Sequence, residues 1–273
     1  MHAYSLCNGE FVDDSGTLTE FFAEADGVVA AVSTRKGGVS KPPYESANMG
    51  LHVGDDPAAV LENRRRFCSA LGINPNDLVC AEQVHGNRIS VVTEAERGTG
   101  ATSAEEALPA ADGLLTDVPG LPLALFTADC VPVFLYEPTK KVVGVAHAGW
   151  RGTVSRIAET LVAALEEQFG GDVSSCRAAL GPSAGPCCYD VGEDVVTAFR
   201  ESDHPVERIF VPGDGGKLHL NLWEANTLQL ERAGVPRRNV SWAKRCSVCS
   251  DACFSCRRDG TVTGRNMSVI MIR

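Results

Sequence analysis

Residues 120–147, GLPLALFTADCVPVFLYEPTKKVVGVAH, read as strand after strand, with no stretch that asks for a helix. The apolar runs 123–126, 131–136 and 142–146 are rich in Val, Leu and Phe, and each has the length of a buried strand. Between the last two lies Glu137-Pro138-Thr139-Lys140-Lys141. This is turn chemistry, since proline fixes φ and the lysine pair needs water. The two runs are therefore expected to form an antiparallel hairpin centred near Thr139. That centre puts Cys130 almost opposite His147, and opposed side chains lie about 5 Å apart at Cβ. A thiolate and an imidazole that close can share a metal or act as a nucleophile–base pair. The alternative is a buried structural cysteine beside a solvated strand-end histidine.

Helices are expected over 56–71, 154–169, 191–201 and 222–233, the first with Pro57 at its start and Gly72 as its stop. Further strands are expected over 28–33, 88–92, 176–180, 218–221 and 268–272. The stretches 97–110 (RGTGATSAEEALPA) and 212–217 (PGDGGK) read as loops. Strict strand–helix alternation is absent. The expected class is α+β, with mixed β-sheets flanked by helices in a layered α/β/β/α sandwich, rather than a doubly wound parallel sheet. No internal repeat or long low-complexity segment divides the 273 residues, so a single domain over 1–273 is expected.

A net charge of −10 argues against a general nucleic-acid surface. No apolar stretch reaches the roughly 18–20 residues needed to span a bilayer. The opening MHAYSLCNGEFVDDSG lacks a basic region followed by an apolar one, so no secretion signal is expected. The odd count of eleven cysteines then fits a reducing cytoplasm better than a disulfide scaffold.

A three-ligand metal site needs one more donor. Of the six histidines, His2 is close to the chain start, His204 lies in a polar loop, and His219 lies in the short strand KLHLNL. His52 (NMGLHVGDD) and His85 (AEQVHGNRI) remain. His85 is ahead, because it precedes a strand and is followed by Gly86, which permits close approach of another group.

The strings AEQVHGNRI, ADGLLTDVPGLPLALFTADCVPVFLY, VGVAHAGWRGT, LGPSAGPCCYDVG and FSCRRDGTVTGRNMSVI together resemble one family over nearly the whole chain. It is the laccase-domain or YfiH-like family, also called multicopper polyphenol oxidases and now regarded as purine nucleoside phosphorylases. The resemblance implies a metal triad at His85, Cys130 and His147. Two imidazoles and a thiolate suit Zn²⁺, with Cu²⁺ the lesser alternative, and three protein ligands leave a fourth position open. It also implies phosphorolysis of adenosine, inosine and methylthioadenosine, with inorganic phosphate as co-substrate, together with adenosine deamination. Deamination needs an activated water at C6 of the purine. Phosphorolysis develops oxocarbenium-like charge at the sugar and needs a bound phosphate.

Arg35 and Arg151, both in glycine-rich settings, are the leading phosphate candidates. Arg258, Asn48 and Ser255 sit in the family motifs and join the same substrate-binding group. Asp129, beside the ligand Cys130, is expected either to orient a bound imidazole or to accept a proton. Its plainer alternative is a turn carboxylate that accepts backbone N–H bonds.

The run CSVCSDACFSC also spaces Cys246, Cys249, Cys253 and Cys256 as a possible second metal site. Two other enzyme classes compete. Copper-dependent phenol oxidation is poorly served by so few histidines. A cysteine hydrolase or amidase acting on cell-wall precursors would use Cys130 as nucleophile and His147 as base. A non-catalytic metal- or nucleoside-binding module is the remaining alternative.

Overall fold

The computed structural model describes Thr17–Leu18 and residues 27–273; His2 and Cys7 lie outside the described residues. In chain order the strands are β1 (Thr17–Leu18), β2 (Val28–Ser33), β3 (Val79–Cys80), β4 (Ile89–Val91), β5 (Gly113–Thr116), β6 (Leu123–Thr127), β7 (Val131–Glu137), β8 (Val142–Ala148), β9 (Arg177–Leu180), β10 (Asp190–Val191), β11 (Phe210–Pro212), β12 (Leu218–Leu220), β13 (Val240–Trp242) and β14 (Asn266–Ile272). The helices are α1 (Pro57–Ala70), α2 (Trp150–Val154), α3 (Ile157–Phe169), α4 (Glu193–Glu201), α5 (Val206–Ile209), α6 (Leu222–Arg232) and α7 (Cys256–Asp259).

Two large mixed sheets stack face to face. One has the order β1-β2-β14-β6-β3, the other β13-β9-β7-β8-β5-β4, and a small sheet β10-β12-β11 stands beside them. Parallel pairs (β3 with β6, β4 with β5, β13 with β9) sit among antiparallel ones. Strand periodicity divides the side chains between layers. Val28, Ala30 and Val32 of β2 meet Phe134 and Tyr136 of β7 and Val143 and Val145 of β8 between the sheets. Val29 and Ala31, with Met267, Val269 and Met271 of β14, face α1 through Phe67 and Cys68. On the far side, Val131, Val133 and Leu135 of β7 pack on Leu161 and Leu165 of α3 and on Trp223 and Leu230 of α6. The central strands are thus covered on both faces, which is why they read as continuous apolar runs rather than alternating ones. The layers are α/β/β/α, as expected.

Helix α1 begins as its sequence indicates: Asp56 caps it by accepting from the Ala58 N–H at 3.0 Å, with Pro57 in the first turn. The expected helix over 154–169 is two. α2 ends at Val154, Arg156 takes a left-handed φ of 62°, and α3 starts at Ile157. The Arg156 guanidinium compensates this break by donating to the Ser202 and Asp203 carbonyls. His204, in the polar loop between α4 and α5, is buried, with its ring edge-on to Phe199 at 5.1 Å. The hairpin forms, but its register pairs Glu137 with Val142 and Pro132 with His147. The turn centre lies between Thr139 and Lys140, so Cys130 falls just beyond β7 and is not paired with His147. Among the described residues no helix is long and apolar enough to cross a membrane.

Leu125 of β6 is fully buried between the two sheets. Leu125→Ala is expected to cost about 2–5 kcal/mol through the cavity it leaves. The check is a lower urea midpoint with an unchanged denaturant slope.

Candidate functional site

Cys130 follows a tight turn between β6 and β7 in which Asp129 has a φ of 94°. His147 is on β8 and buried. His85 lies on the connection from β3, in one large sheet, to β4, in the other, and takes a left-handed φ of 62°. One fully buried carboxylate joins these parts. Asp112, directly before β5, accepts from the backbone N–H groups of His85 (3.0 Å), Gly86 (2.7 Å) and Val84 (3.2 Å). The oxygen bonded to His85 also meets Nδ1 of His147 at 2.9 Å. With Nδ1–H donated to a carboxylate, the lone pair of His147 is on Nε2. The Asp112 carbonyl accepts from the His147 backbone N–H at 2.7 Å, which fixes the strand as well as the ring.

Glycine makes room for the donors. A Cβ on Gly149 would lie 2.8 Å from Cys130 Sγ and 3.3 Å from His85 Cδ2. A Cβ on Gly152 would lie 3.0 Å from the Gly86 carbonyl. One ligand atom from each of His85, Cys130 and His147 can lie within 4.8 Å of the others. The His85 and His147 rings meet edge-on at 4.8 Å. Exposure rises from buried His147 through half-buried Cys130 to exposed His85, so the cluster opens to solvent on the His85 side.

Burial alone would push the Cys130 thiol up. The imidazoles of His147 and His85 outweigh burial and bring it down to about 6. Burial would likewise lower His147, but the Cys130 thiolate and Asp112 raise it to about 9. Near neutral pH the metal-free pair is therefore a thiolate beside an imidazolium. A divalent cation fits the place of that proton. The donors are one sulfur and two nitrogens, with an orienting carboxylate behind one imidazole and an open side.

The sequence did not single out Asp112. Its only mark is the Ala-Asp-Gly before a strand, which reads as an ordinary turn. The orienting role expected of Asp129 belongs to Asp112. Asp129 accepts instead from the Ser247 hydroxyl at 2.6 Å and the Arg257 backbone N–H at 2.7 Å, as a turn carboxylate does. Four other expected site residues serve the framework. Asn48 is fully buried and bonds Gly50, Asp55 and the Arg265 N–H. Ser255 is fully buried and caps α7 by accepting from the Arg258 N–H. Arg258 holds the carbonyls of Ser247, Ser250 and Cys253 and the Asp259 carboxylate. Arg35 donates to the Glu45 carbonyl, pairs with Asp259 at 3.1 Å and stacks on Phe254. Motif glycines near these residues serve close packing: a Cβ on Gly38 would run into Ser46 and Ala47.

Arg151 differs. It is exposed, lies over the Trp150 ring at 4.3 Å, and has no ion pair among the described residues. His52, the other candidate third ligand, lines a separate cavity of about 150 Å³ with Arg64 and Phe126. The second cysteine grouping also differs from expectation. Cys253 is buried in the core between the sheets and Cys256 opens α7. Cys246 and Cys249 instead meet Cys187 and Cys188.

Residues 29–273 match the family model described as multi-copper polyphenol oxidoreductase laccase. The chain is 44% identical to the purine nucleoside phosphorylase YlmD of Geobacillus stearothermophilus, over 89% of this chain and 90% of that one. It is 38% identical to adenosine deaminase RL5 of an unknown prokaryotic organism, over 91% of this chain and 96% of that one. The crystal structure of YlmD from Geobacillus stearothermophilus superposes with a TM-score of 0.91, covering 96% of this chain and 97% of that one at 42% identity.

Asp112→Asn is expected to weaken binding of a divalent metal about 10–100-fold, the usual effect of losing an orienting carboxylate; competition with a chromophoric chelator measures it. In metal-stripped protein, iodoacetamide labelling of Cys130, read by peptide mass spectrometry, should inflect near pH 6. The lowered thiol keeps its thiolate above that pH and loses it below. An inflection at the ordinary cysteine value would contradict the ion-pair geometry.

Proposed function

We infer the function from a premise: the chain belongs to the multi-copper polyphenol oxidoreductase laccase family, by a family model over 29–273 and near full-length relatives. The activity we propose is zinc-dependent purine nucleoside phosphorolysis. Adenosine, inosine and methylthioadenosine would yield free base and the pentose 1-phosphate, with adenosine deamination at the same centre. The supporting observation is the convergence of His85, Cys130 and His147 on one solvent-facing point, held by Asp112. The relatives named purine nucleoside phosphorylase and adenosine deaminase supply the substrate class.

His85, Cys130 and His147 would hold the metal. When bound, zinc would supply a Lewis acid, and the exposed His85 side of the cluster would leave it accessible to substrate. Asp112 keeps His147 in one tautomer and orientation. Gly149 leaves space for the Cys130 sulfur and the His85 ring. Arg151, exposed and without an ion pair among the described residues, is the guanidinium proposed to receive phosphate. A site with several coppers is disfavoured. Among the described residues, the other cluster of possible metal donors is all cysteine, without the imidazoles that copper centres of that kind use.

The lowered thiol supports one second reading, a hydrolase with Cys130 as nucleophile and His147 as base. One experiment separates the two. Purified protein is incubated with adenosine, with and without phosphate, before and after chelation. Adenine and ribose 1-phosphate only with phosphate, inosine in both cases, and loss of all products on chelation are expected. Cys130→Ala should abolish turnover. Arg151→Ala should raise the KM for phosphate about tenfold, the scale of one charge-assisted contact. Turnover that survives chelation but not thiol alkylation would establish the second reading instead.

A further inference from the structure

Four thiols converge at a second place, away from the histidines. Cys187 and Cys188 lie on the connection between β9 and β10, and Cys246 and Cys249 on that between β13 and β14. All four Sγ atoms lie within 4.8 Å of one another. Cys249 is 3.2 Å from Cys188 and 3.6 Å from Cys187, across 61 and 62 residues of sequence. Thiolates at the corners of a zinc tetrahedron, with Zn–S of about 2.3 Å, are separated by about 3.8 Å. The two Cys249 separations lie just under that edge, and all four sulfurs fit within an ångström of it. A disulfide needs sulfurs about 2.05 Å apart and would join only two of the four.

The backbone is arranged around these sulfurs. Ser183 and Cys246 form a parallel bridge, and the Ser247 N–H bonds the Ser183 carbonyl at 2.8 Å, so the two connections run side by side. Gly185 donates its N–H to Cys246 Sγ at 3.3 Å. A side chain there would press on Cys246, since a Cβ would lie 3.2 Å from its Cβ. The amides of Val248 and Cys249 also bond the Cys246 sulfur, within a Cys-x-x-Cys turn. Amide donors to a sulfur favour its thiolate form. The N–H groups of Cys188 and Tyr189 share the Gly185 carbonyl, in a turn that brings Cys187 and Cys188 toward Cys249. His219 holds the Pro186 carbonyl through Nδ1 at 2.7 Å, just before Cys187. Burial is graded: Cys246 is buried, Cys188 half-buried, and Cys187 and Cys249 exposed, so an ion can enter from solvent. Deprotonating all four at this separation requires a cation between them.

We propose that Cys187, Cys188, Cys246 and Cys249 bind one zinc ion as a closed tetrathiolate site, separate from the His85–Cys130–His147 centre. Four protein ligands leave no open position, so the ion acts as a clip and takes no part in the chemistry. The clip joins two segments that border Cys130. Tyr189, next to Cys188, lies under the Arg257 guanidinium, and Ser247, next to Cys246, bonds Asp129.

The test uses the full chain carrying His85→Ala and Cys130→Ser, which dismantles the first centre and leaves the four thiols intact. This protein, purified with zinc under reducing conditions, is expected to retain the metal. X-ray absorption at the zinc edge should show only sulfur neighbours, at about 2.3 Å. Cobalt exchanged into it should give the intense charge-transfer bands of tetrathiolate coordination, and adding Cys249→Ser should remove both the bands and the zinc. Folded protein that holds no zinc, a shell containing nitrogen or oxygen, or a disulfide among these cysteines would each overturn the proposal. The absorption readout is made with all four thiols present, so a poorly folding Cys249→Ser variant does not decide it. It is also independent of whether the protein turns over nucleosides.

Discussion

The buried carboxylate of Asp112 is the contact on which the site depends. The connection that carries His85 leaves one large sheet and enters the other, so no single strand ladder can hold it. Three successive amides, Val84, His85 and Gly86, would lie without partners there, and His85 has a left-handed backbone that a non-glycine residue resists by roughly 1–2 kcal/mol. Hydrogen bonds to a charged acceptor contribute about 1.5–3 kcal/mol each, so the carboxylate outweighs that strain. Burial pushes the Asp112 carboxyl up, but His147 and the Gly86 and Val84 amides hold it below the usual carboxylate range. It stays an acceptor at neutral pH. The same group that closes the loop therefore also selects the tautomer of His147.

Electrostatics then follow from position. Burial disfavours the charged forms of Cys130 and His147, and each supplies part of the charge that ionises the other, with His85 acting on the thiol and Asp112 on the imidazole. A metal ion would take the place of a proton already shared by a prepared pair, with little reorganisation on binding. Glycine at 149 is needed for the same reason: the sulfur and the His85 ring occupy the space where a side chain would stand.

Much of the architecture was legible in the sequence because long apolar runs have few physical explanations. A six- or seven-residue run of Val, Leu and Phe must be covered on both faces, which by itself implies sheets packed between layers. Donor types were legible as well, since cysteine at a turn and histidine before glycine are chemically specific. Positions set by distant partners were not. Asp112 acts on residues 26 to 28 positions earlier, and Ala-Asp-Gly carries no sign of that. The hairpin centre expected near Thr139 lies half a residue after it, so His147 pairs with Pro132 and Cys130 stands two residues beyond that pairing. Asn48, Ser255 and Arg258 belong to recognisable motifs, yet a motif marks what cannot be replaced without saying why. Asn48 is needed because it pairs the buried N–H and carbonyl of Gly50 and ties in the half-buried Asp55 carboxylate and Arg265 N–H.

The thiols follow the same logic in reverse. Cys246 and Cys249 have sequence neighbours at Cys253 and Cys256 that local spacing favours as partners. The fold sends Cys253 into the core between the sheets, where a coordinated ion would displace packed side chains. It brings in Cys187 and Cys188 instead, because β13 lies parallel to β9 and the connections leaving these strands run together. The meeting of the four sulfurs is thus a consequence of strand order. Asp129 bonds both thiol-bearing connections: its main chain accepts the Ala184 N–H from one, and its carboxylate accepts the Ser247 hydroxyl from the other. Cys130 is the next residue, so the position of its sulfur depends on how those two connections are held together.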